Sequence, residues 1–294
     1  MTGKLPLKGP IGLKQIGAVF EDPPPVKILE IPKASLWQIK PQLRNKPVKF
    51  SSFYGQENTV FISISGSQRN VNIDTLADQQ KKGHVANIKV TVKSGSRIGS
   101  NSTSLPSLKT GFFSNNSVSA VIHLHVERNA YVYGKGGDGG YGGNESNSRN
   151  GGRGGNGGDA IVMDGRGTLR ITNDGGIGGG GGGGGGGSGF KGCAKANKGG
   201  CIKQIFYSGQ GGFAGTGNPS GRIGAGIKRG DGGIGGKGGA LGKAGSQGAV
   251  SGKGGKGGGS VGKPGGGGAP GYAVRKVAGK VIYLKVGNVQ GVRQ

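Results

Sequence analysis

Residues 134–143 read Gly-Lys-Gly-Gly-Asp-Gly-Gly-Tyr-Gly-Gly, and this stretch decides the fold. Its non-glycine residues stand three apart, at positions 135, 138 and 141. The same phase returns, with glycine at most intervening positions, at Arg153, Asn156 and Asp159 and at Asp231, Ile234, Lys237, Ala240 and Lys243. A helix with three residues per turn makes no internal hydrogen bonds, so its backbone groups need partners on neighbouring chains. Only glycine permits that approach, and the pattern predicts a bundle of polyglycine helices.

Two other interpretations fit a glycine-rich composition. Collagen requires Gly-X-Y triplets with abundant proline, whereas these tracts have more glycine per triplet and little proline. A disordered linker is the second, because ordering glycine costs about 1–2 kcal/mol of backbone entropy per residue. However, β-forming segments interrupt the tracts at 160–163, 169–172 and 281–286, and a linker has no reason to contain them. The sequence therefore favours an ordered bundle.

Composition limits the kinds of core and partner. Of 294 residues 74 are glycine and only 31% are hydrophobic, so one apolar core cannot extend through the whole chain. The formal net charge of +26 is spread along the sequence, which favours attraction to an anionic surface over a dedicated groove. Neither a secretory signal nor a run long enough to span a bilayer is apparent, and we expect synthesis in a cytoplasm.

Residues 1–57 contain three copies of a short pattern, which begin at Pro10, Pro25 and Pro47. In each copy proline is followed by Ile or Val, any residue, an apolar residue, two further positions and a second apolar residue. The candidate attachment residues are Leu13, Ile16, Ile28, Ile31, Phe50, Phe53 and Tyr54. Three copies can offer one segment to each subunit of a trimer. Equally, they fit strands of one small β domain or one-to-one anchoring on a symmetric ring.

Residues 58–128 are predicted to form a small β domain. Apolar and β-branched residues alternate at 60–65, 71–73, 86–92 and 118–126, with one helical turn around 73–81. The last strand is expected to lead through residues 130–133 into the first polyglycine tract. His123 and His125 face the same side of a strand without a third ligand nearby, which favours solvated or capped side chains over a metal site.

Motifs that carry chemistry are missing from the sequence. No Gly-x-Ser-x-Gly, His-Glu-x-x-His or Walker A motif occurs, and we expect no enzyme, no cofactor and no metal. Cys193 and Cys201 enclose a short loop that contains glycine. They fit a disulfide formed outside a reducing cell and two free thiols equally well.

The glycine decamer 178–187 has no outward side chain, so we place it at the centre of the bundle. Segments that break the period are predicted loops, at 144–150, 190–207, 218–229, 246–251 and 263–264. Loops on a rigid scaffold are where recognition usually lies. The candidate contact residues are Asn144, Arg149, Phe190, Lys195, Phe206, Tyr207, Phe213 and Arg222. Two similar stretches, 158–171 and 271–284, are predicted to form hairpins at one end of the lattice.

One succession of motifs resembles a known family. Ala130-Tyr-Val-Tyr-Gly-Lys-Gly-Gly-Asp-Gly-Gly is followed by Gly-Gly-Asp-Ala-Ile-Val, and then by Leu169-Arg-Ile-Thr-Asn-Asp-Gly-Gly-Ile-Gly before the polyglycine run. This second half of the chain resembles the distal long-tail-fibre adhesins of T-even-like bacteriophages. The resemblance implies a polyglycine-II helix sandwich over residues 129–294. With the small β domain that precedes it, the predicted fold is mainly β and irregular.

The resemblance also implies a function. Variable loops at the free end of such a sandwich bind an outer-membrane protein or a surface sugar of the host, and the N-terminal region attaches to a trimeric fibre. We therefore expect a virion adhesin, made in the host cytoplasm, in which residues 1–57 dock on the tail or fibre and residues 58–128 act as a spacer. The opening Gly9-Pro-Ile-Gly-Leu and Phe53-Tyr-Gly55 instead resemble other phage tail and fibre components.

Three alternatives compete with a receptor-binding adhesin. A purely structural tail-tip or capsid-decoration protein can use the same scaffold without a receptor. An RNA-binding glycine-rich protein is suggested by the charge, but the tracts carry mostly lysine and have no aromatic stacking platform, so we expect no specific nucleic acid. An antifreeze protein built from polyglycine helices suits neither the basic charge nor the N-terminal repeats.

Overall fold

The computed structural model describes Gln15 and residues 59–79, 87–111, 121–144, 150–195, 201–218, 220–224, 233–250 and 260–294. Within these ranges the side chains of 193–195, 201–203 and 260 are not described. All seven candidate attachment residues, from Leu13 to Tyr54, lie outside the described residues, as does Arg149.

From residue 59 onwards the described part of the chain is almost entirely β-structure and extended polyglycine, with one short helix, α1, at Ile73–Asp78. Its strands are β1 Thr59–Ile64, β2 Ser67–Arg69, β3 Val71–Asn72, β4 Asn87–Val92, β5 Arg97–Gly99, β6 Leu108–Lys109, β7 Val121–Val126, β8 Tyr131–Tyr133, β9 Ile161–Met163, β10 Thr168–Asn173, β11 Gly176–Gly178, β12 Phe190–Lys195, β13 Cys201–Tyr207, β14 Ser260–Val261, β15 Val274–Lys276, β16 Lys280–Lys285 and β17 Asn288–Gln290.

Three parallel sheets form a three-sided β-solenoid. Their strand orders are β1-β4-β7-β10-β16 in sheet 1, β2-β5-β8-β11-β17 in sheet 2 and β3-β6-β9-β15 in sheet 3. Successive strands therefore fall on sheets 1, 2 and 3 in turn, and each circuit makes one coil. Every strand pair in these sheets is parallel.

The core fills the inside of the solenoid because apolar residues alternate along each strand and stack in register between coils. On sheet 1, Ile62 aligns with Val90, Leu124 and Ile171. On sheet 2, Ile98 aligns with Val132, and Val132 aligns with Ile177. These side chains are at most 4% exposed, and fully burying each contributes about 1.5–3 kcal/mol.

The first coil is followed by α1, which confirms the predicted helical turn. The Asn72 side chain caps the helix by accepting a hydrogen bond from the Asp74 N–H at 3.2 Å. Ile73 and Ala77 are buried, so the helix presents an apolar side to the core.

Asn173, the last residue of the Leu-Arg-Ile-Thr-Asn motif, has a structural role. This fully buried side chain lies at the corner between β10 and β11. Its Nδ2 donates to the carbonyls of Val286 and Asn288, at 2.9 and 3.1 Å, while its Oδ1 accepts from the Gly175 N–H at 3.1 Å. A buried amide with all these bonds fixes the corner and ties it to the last coil.

Two sequence-based expectations differ from this arrangement. The sheets cross the expected boundary between residues 128 and 129, because β7 pairs with β10 and β5 with β8. The predicted hairpins at 158–171 and 271–284 are wrong, since β9 pairs in parallel with β15 on sheet 3 while β10 pairs in parallel with β16 on sheet 1. The similarity of the two stretches arises because they occupy equivalent positions in successive coils.

The polyglycine segments extend from one corner of the solenoid, between sheets 2 and 3. As expected, β8 leads directly into the first tract, and β11 leads into the decamer. We number the segments PG1 134–144, PG2 150–159, PG3 178–189, PG4 208–217, PG5 220–224, PG6 233–241, PG7 243–250 and PG8 262–271. PG1 donates to PG3 at every third residue, with Gly134, Gly137, Gly140 and Gly143 bonded to the carbonyls of Gly178, Gly181, Gly184 and Gly187.

PG3 lies at the centre, as the glycine decamer predicted. Its N–H groups donate in rotation to PG2, PG4 and PG7, beginning with Gly180 to Gly158, Gly181 to Thr216 and Gly182 to Lys243. Its carbonyls accept in rotation from PG1, PG6 and PG8. These six segments also bond to one another around the ring, and residues 176–190 are all buried. The lattice is thus held together by backbone hydrogen bonds where no apolar side chain is available.

Candidate recognition end of the lattice

Four pairs of polyglycine segment ends lie at the end of the lattice opposite the solenoid, which we call the loop end. In the sequence these ends are joined by residues 145–149, 190–207, 225–232 and 251–261, of which 190–195, 201–207 and 260–261 are described. Hydrogen bonds place the adjoining segment ends at one level. Gly143 donates to Gly187, Gly209 to Gly143, and Gly233 to Ser188, each at 2.8 Å. The alternating direction of the segments brings distant parts of the sequence together here.

A small antiparallel sheet covers this end. β12 pairs with β13, and its first residues Phe190 and Lys191 also pair with Val261 and Ser260 of β14. The Phe190 ring stacks on Tyr207 with centroids 6.0 Å apart. The sheet is therefore anchored to the lattice at its base, and its far end extends from that anchor.

Phe190 differs from its predicted role as a receptor contact, because it is only 3% exposed. Its ring stacks on Tyr207 and lies over Gly192 of the same strand, where burial of an aromatic side chain anchors the sheet. Phe206 and Tyr207 are half-buried, and the Lys191 ammonium lies 5.2 Å from the centre of the Phe206 ring. Asn144 is exposed at the end of PG1, beside this sheet.

The structure does not bring every candidate contact to the loop end. Phe213, which is 41% exposed, belongs to the middle of PG4, where its carbonyl accepts from Gly184. Arg222 lies on PG5 along the flank, with its backbone N–H donating to Asp138 Oδ1 at 2.6 Å. The side chain of Lys195 is not described.

Sequence reasoning missed three residues near the loop end. Lys191 directly follows Phe190 in the same period-breaking segment, so the sequence offered it as a candidate contact. Tyr141 is 54% exposed, with its ring over Gly152, but it fits the three-residue period and gave no further signal. Val261 reaches the small sheet from the far side of the sequence, which no local pattern indicates.

The cysteine pairing stays a prediction. The strand register sets Cys193 opposite Gln204 and Cys201 opposite Lys195, so the two cysteines are not directly opposed across the hairpin. Their thiols are not among the described side chains.

The resolved carboxylate pKa shifts lie on the solenoid and not at the loop end. Hydrogen bonds from Lys285 and His125 lower the pKa of Asp174, and the His125 Nε2 lies 2.9 Å from its carboxylate. His125 is thus a paired side chain, as the sequence favoured. The part of the chain described here contains no cluster of three His, Cys, Asp or Glu residues able to hold a metal. Among the same residues, no helix has the length and apolar character needed to cross a bilayer.

A parallel β-solenoid that carries a lattice of polyglycine segments places the chain in the class of structural scaffold proteins. The family model of the phage tail fibre adhesin Gp38 matches residues 59–294, and the chain belongs to that family. Its place is accordingly the tail fibre of a virion.

Comparison with solved structures gives one similar chain, in the gp37-gp38 adhesin tip complex of the bacteriophage S16 long tail fiber. The two chains are 24% identical, the match covers 89% of this chain and 92% of that one, and the TM-score is 0.46. Among curated proteins none matches.

Proposed function

We propose that the protein binds a host cell-surface receptor, an outer-membrane protein or a surface glycan, through the loop end of its lattice. Membership of the tail fibre adhesin family supports the general role. The observation that supports the site is that the segment ends joined by four connections meet at the end opposite the solenoid. A rigid scaffold lets such connections vary in sequence without loss of the fold.

The side chains at this end suit contact with a cell envelope. Phe206 and Tyr207 present half-buried aromatic rings, and aromatic side chains are favoured anchors in interfaces. Lys191 is held beside Phe206, and we assign Lys195 and Arg149 to the same surface from their positions in the connections. Basic groups speed the approach to an anionic envelope in a salt-dependent way. In this proposal the protein binds and does no chemistry.

Attachment to the virion is assigned to residues 1–57, with residues 58–128 as the spacer between attachment and lattice. The three repeats, with apolar pairs such as Leu13 and Ile16, suit three equivalent surfaces on a trimeric tail-fibre protein. We expect a virion map to show one copy per threefold axis, with the repeats related by about 120°. Several symmetric copies at that site would contradict this assignment. Synthesis in the host cytoplasm belongs to the same proposal.

The proposal is tested by replacing residues 191–206 with a Gly-Ser segment of equal length in the phage. Phe190 and Tyr207 are kept because they anchor the small sheet. We expect the particles to assemble and their adsorption rate on host cells to fall by at least about tenfold, since interface anchors carry most binding energy.

The matched control is the double variant Phe213→Ala and Arg222→Ala, which removes two exposed side chains from the flank. Its adsorption rate should equal that of the unmodified phage. Particles that adsorb normally after the hairpin is replaced would favour a purely structural role in the tail tip.

A further inference from the structure

PG2 and PG8 run side by side and form a ladder with two kinds of bond. The backbone N–H groups of 151, 154, 157 and 160 donate to the carbonyls of 263, 266, 269 and 272, at 2.7 to 2.9 Å. In the opposite direction, side chains of PG2 accept from the backbone of PG8. Asn150, Asn156 and Asp159 each use Oδ1 to accept from the N–H of Lys263, Ala269 and Tyr272, at 2.8, 2.9 and 2.9 Å.

The ladder is incomplete at the rung formed by Arg153 and Gly266. Arginine has only donors and cannot supply the oxygen that Asn or Asp supplies on the other rungs. Among the described residues none accepts from the Gly266 N–H and none pairs with the exposed Arg153. Apart from Gly266 and its two chain neighbours, no atom of the described residues lies within 4 Å of the position that a Gly266 Cβ would occupy. The rung therefore combines an unused N–H, a guanidinium and open space.

We propose that this rung binds a carboxylate group of the cell surface, and its assignment to an acidic sugar of a surface glycan rests on the proposed function. One carboxylate oxygen takes the position of the missing side-chain oxygen and accepts from Gly266, while the other accepts from Arg153. Asp159 makes the first of these contacts within the protein, which shows that a carboxylate fits a rung of this ladder. Bonds from a guanidinium to a carboxylate are charge-assisted and directional. Exposed Lys263, on the preceding rung, adds positive charge.

This site is on the flank of the lattice and is separate from the proposed receptor contacts at the loop end. Its test is a binding measurement on the isolated full-length chain, whereas the loop end is tested by phage adsorption. Failure of one leaves the other intact.

The test is a titration of the ¹⁵N-labelled full-length chain with sodium glucuronate, followed through the Gly266 amide resonance. We expect a saturable shift with a midpoint on the order of millimolar, as befits one small charge-assisted contact. Arg153→Asn should abolish the shift, because the introduced side-chain amide supplies the missing oxygen and closes the rung. The closed rung should also raise the thermal midpoint by roughly 2 °C.

Lys237→Asn is the matched control, because it removes another exposed cation, on a different edge of the lattice. The glucuronate shift should survive that change. A shift of equal size with neutral methyl glucoside, or one that persists in Arg153→Asn, would overturn the proposal. A stronger response to inorganic phosphate than to glucuronate would overturn the assignment to a sugar carboxylate.

Discussion

Replacing Gly182 with alanine is expected to prevent the polyglycine lattice from folding. A methyl group at this central position would fall on the carbonyl oxygen of Gly268, so PG3 and PG8 would have to separate. Separation breaks bonds such as Gly268 N–H to Gly183 O, at 2.7 Å, and leaves buried backbone groups without partners. We expect a cost of about 3 kcal/mol or more, a large share of the stability of a typical domain. Soluble yield and the thermal midpoint of the purified chain measure this effect.

Gly266→Ala is the matched control for this substitution. Its added methyl group meets no atom within 4 Å, and the backbone bond that Gly266 accepts from Gly154 is kept. The thermal midpoint should stay unchanged or rise slightly, because alanine reduces the freedom of the unfolded chain. Lys237→Ala, at an exposed edge, should be equally harmless. Similar tolerance at Gly182 and Gly266 would mean that the tracts are not packed as described.

The period of three was sufficient to predict the lattice because it reports directly on backbone geometry. Residues such as Tyr141, Arg153 and Lys237 stand in phase in the sequence and are exposed in the structure. The central place of 178–187 followed from the lack of any side chain there. These predictions needed no knowledge of which segments are neighbours.

The solenoid was not predictable in the same way. Its strands on sheets 2 and 3 are only two or three residues long, and each pairs with strands of the neighbouring coils. One coil is also interrupted, because residues 179–273 separate its strands β11 and β15 in the sequence. Such short strands give little periodic signal. The predicted hairpins failed because two adjacent apolar strands with a glycine turn fit a hairpin and a solenoid corner equally well.

The candidate contact residues stay predictions, because they were chosen for residue type in and beside segments that break the three-residue period. Composition alone cannot distinguish an aromatic anchor that faces inwards from one that faces a partner, so Phe190 was misassigned. Phe213 and Arg222 were chosen for their type and lie on the flank.

A fully bonded polyglycine segment, PG3, holds the lattice rigid. Backbone N–H groups from Gly180 to Ser188 all donate to surrounding segments. An amide bonded in this way exchanges with solvent only when the structure opens, so its exchange reports the stability of the lattice itself. Polyglycine in a flexible linker has no such protection.

The most direct measurement is hydrogen–deuterium exchange of the full-length chain, resolved at the amides of residues 180–188 and at Gly266. We expect the central amides to exchange at least about a thousandfold more slowly than Gly266, at a rate similar to that of the buried strands of sheet 1. Central glycine amides that exchange as fast as Gly266 would contradict the account.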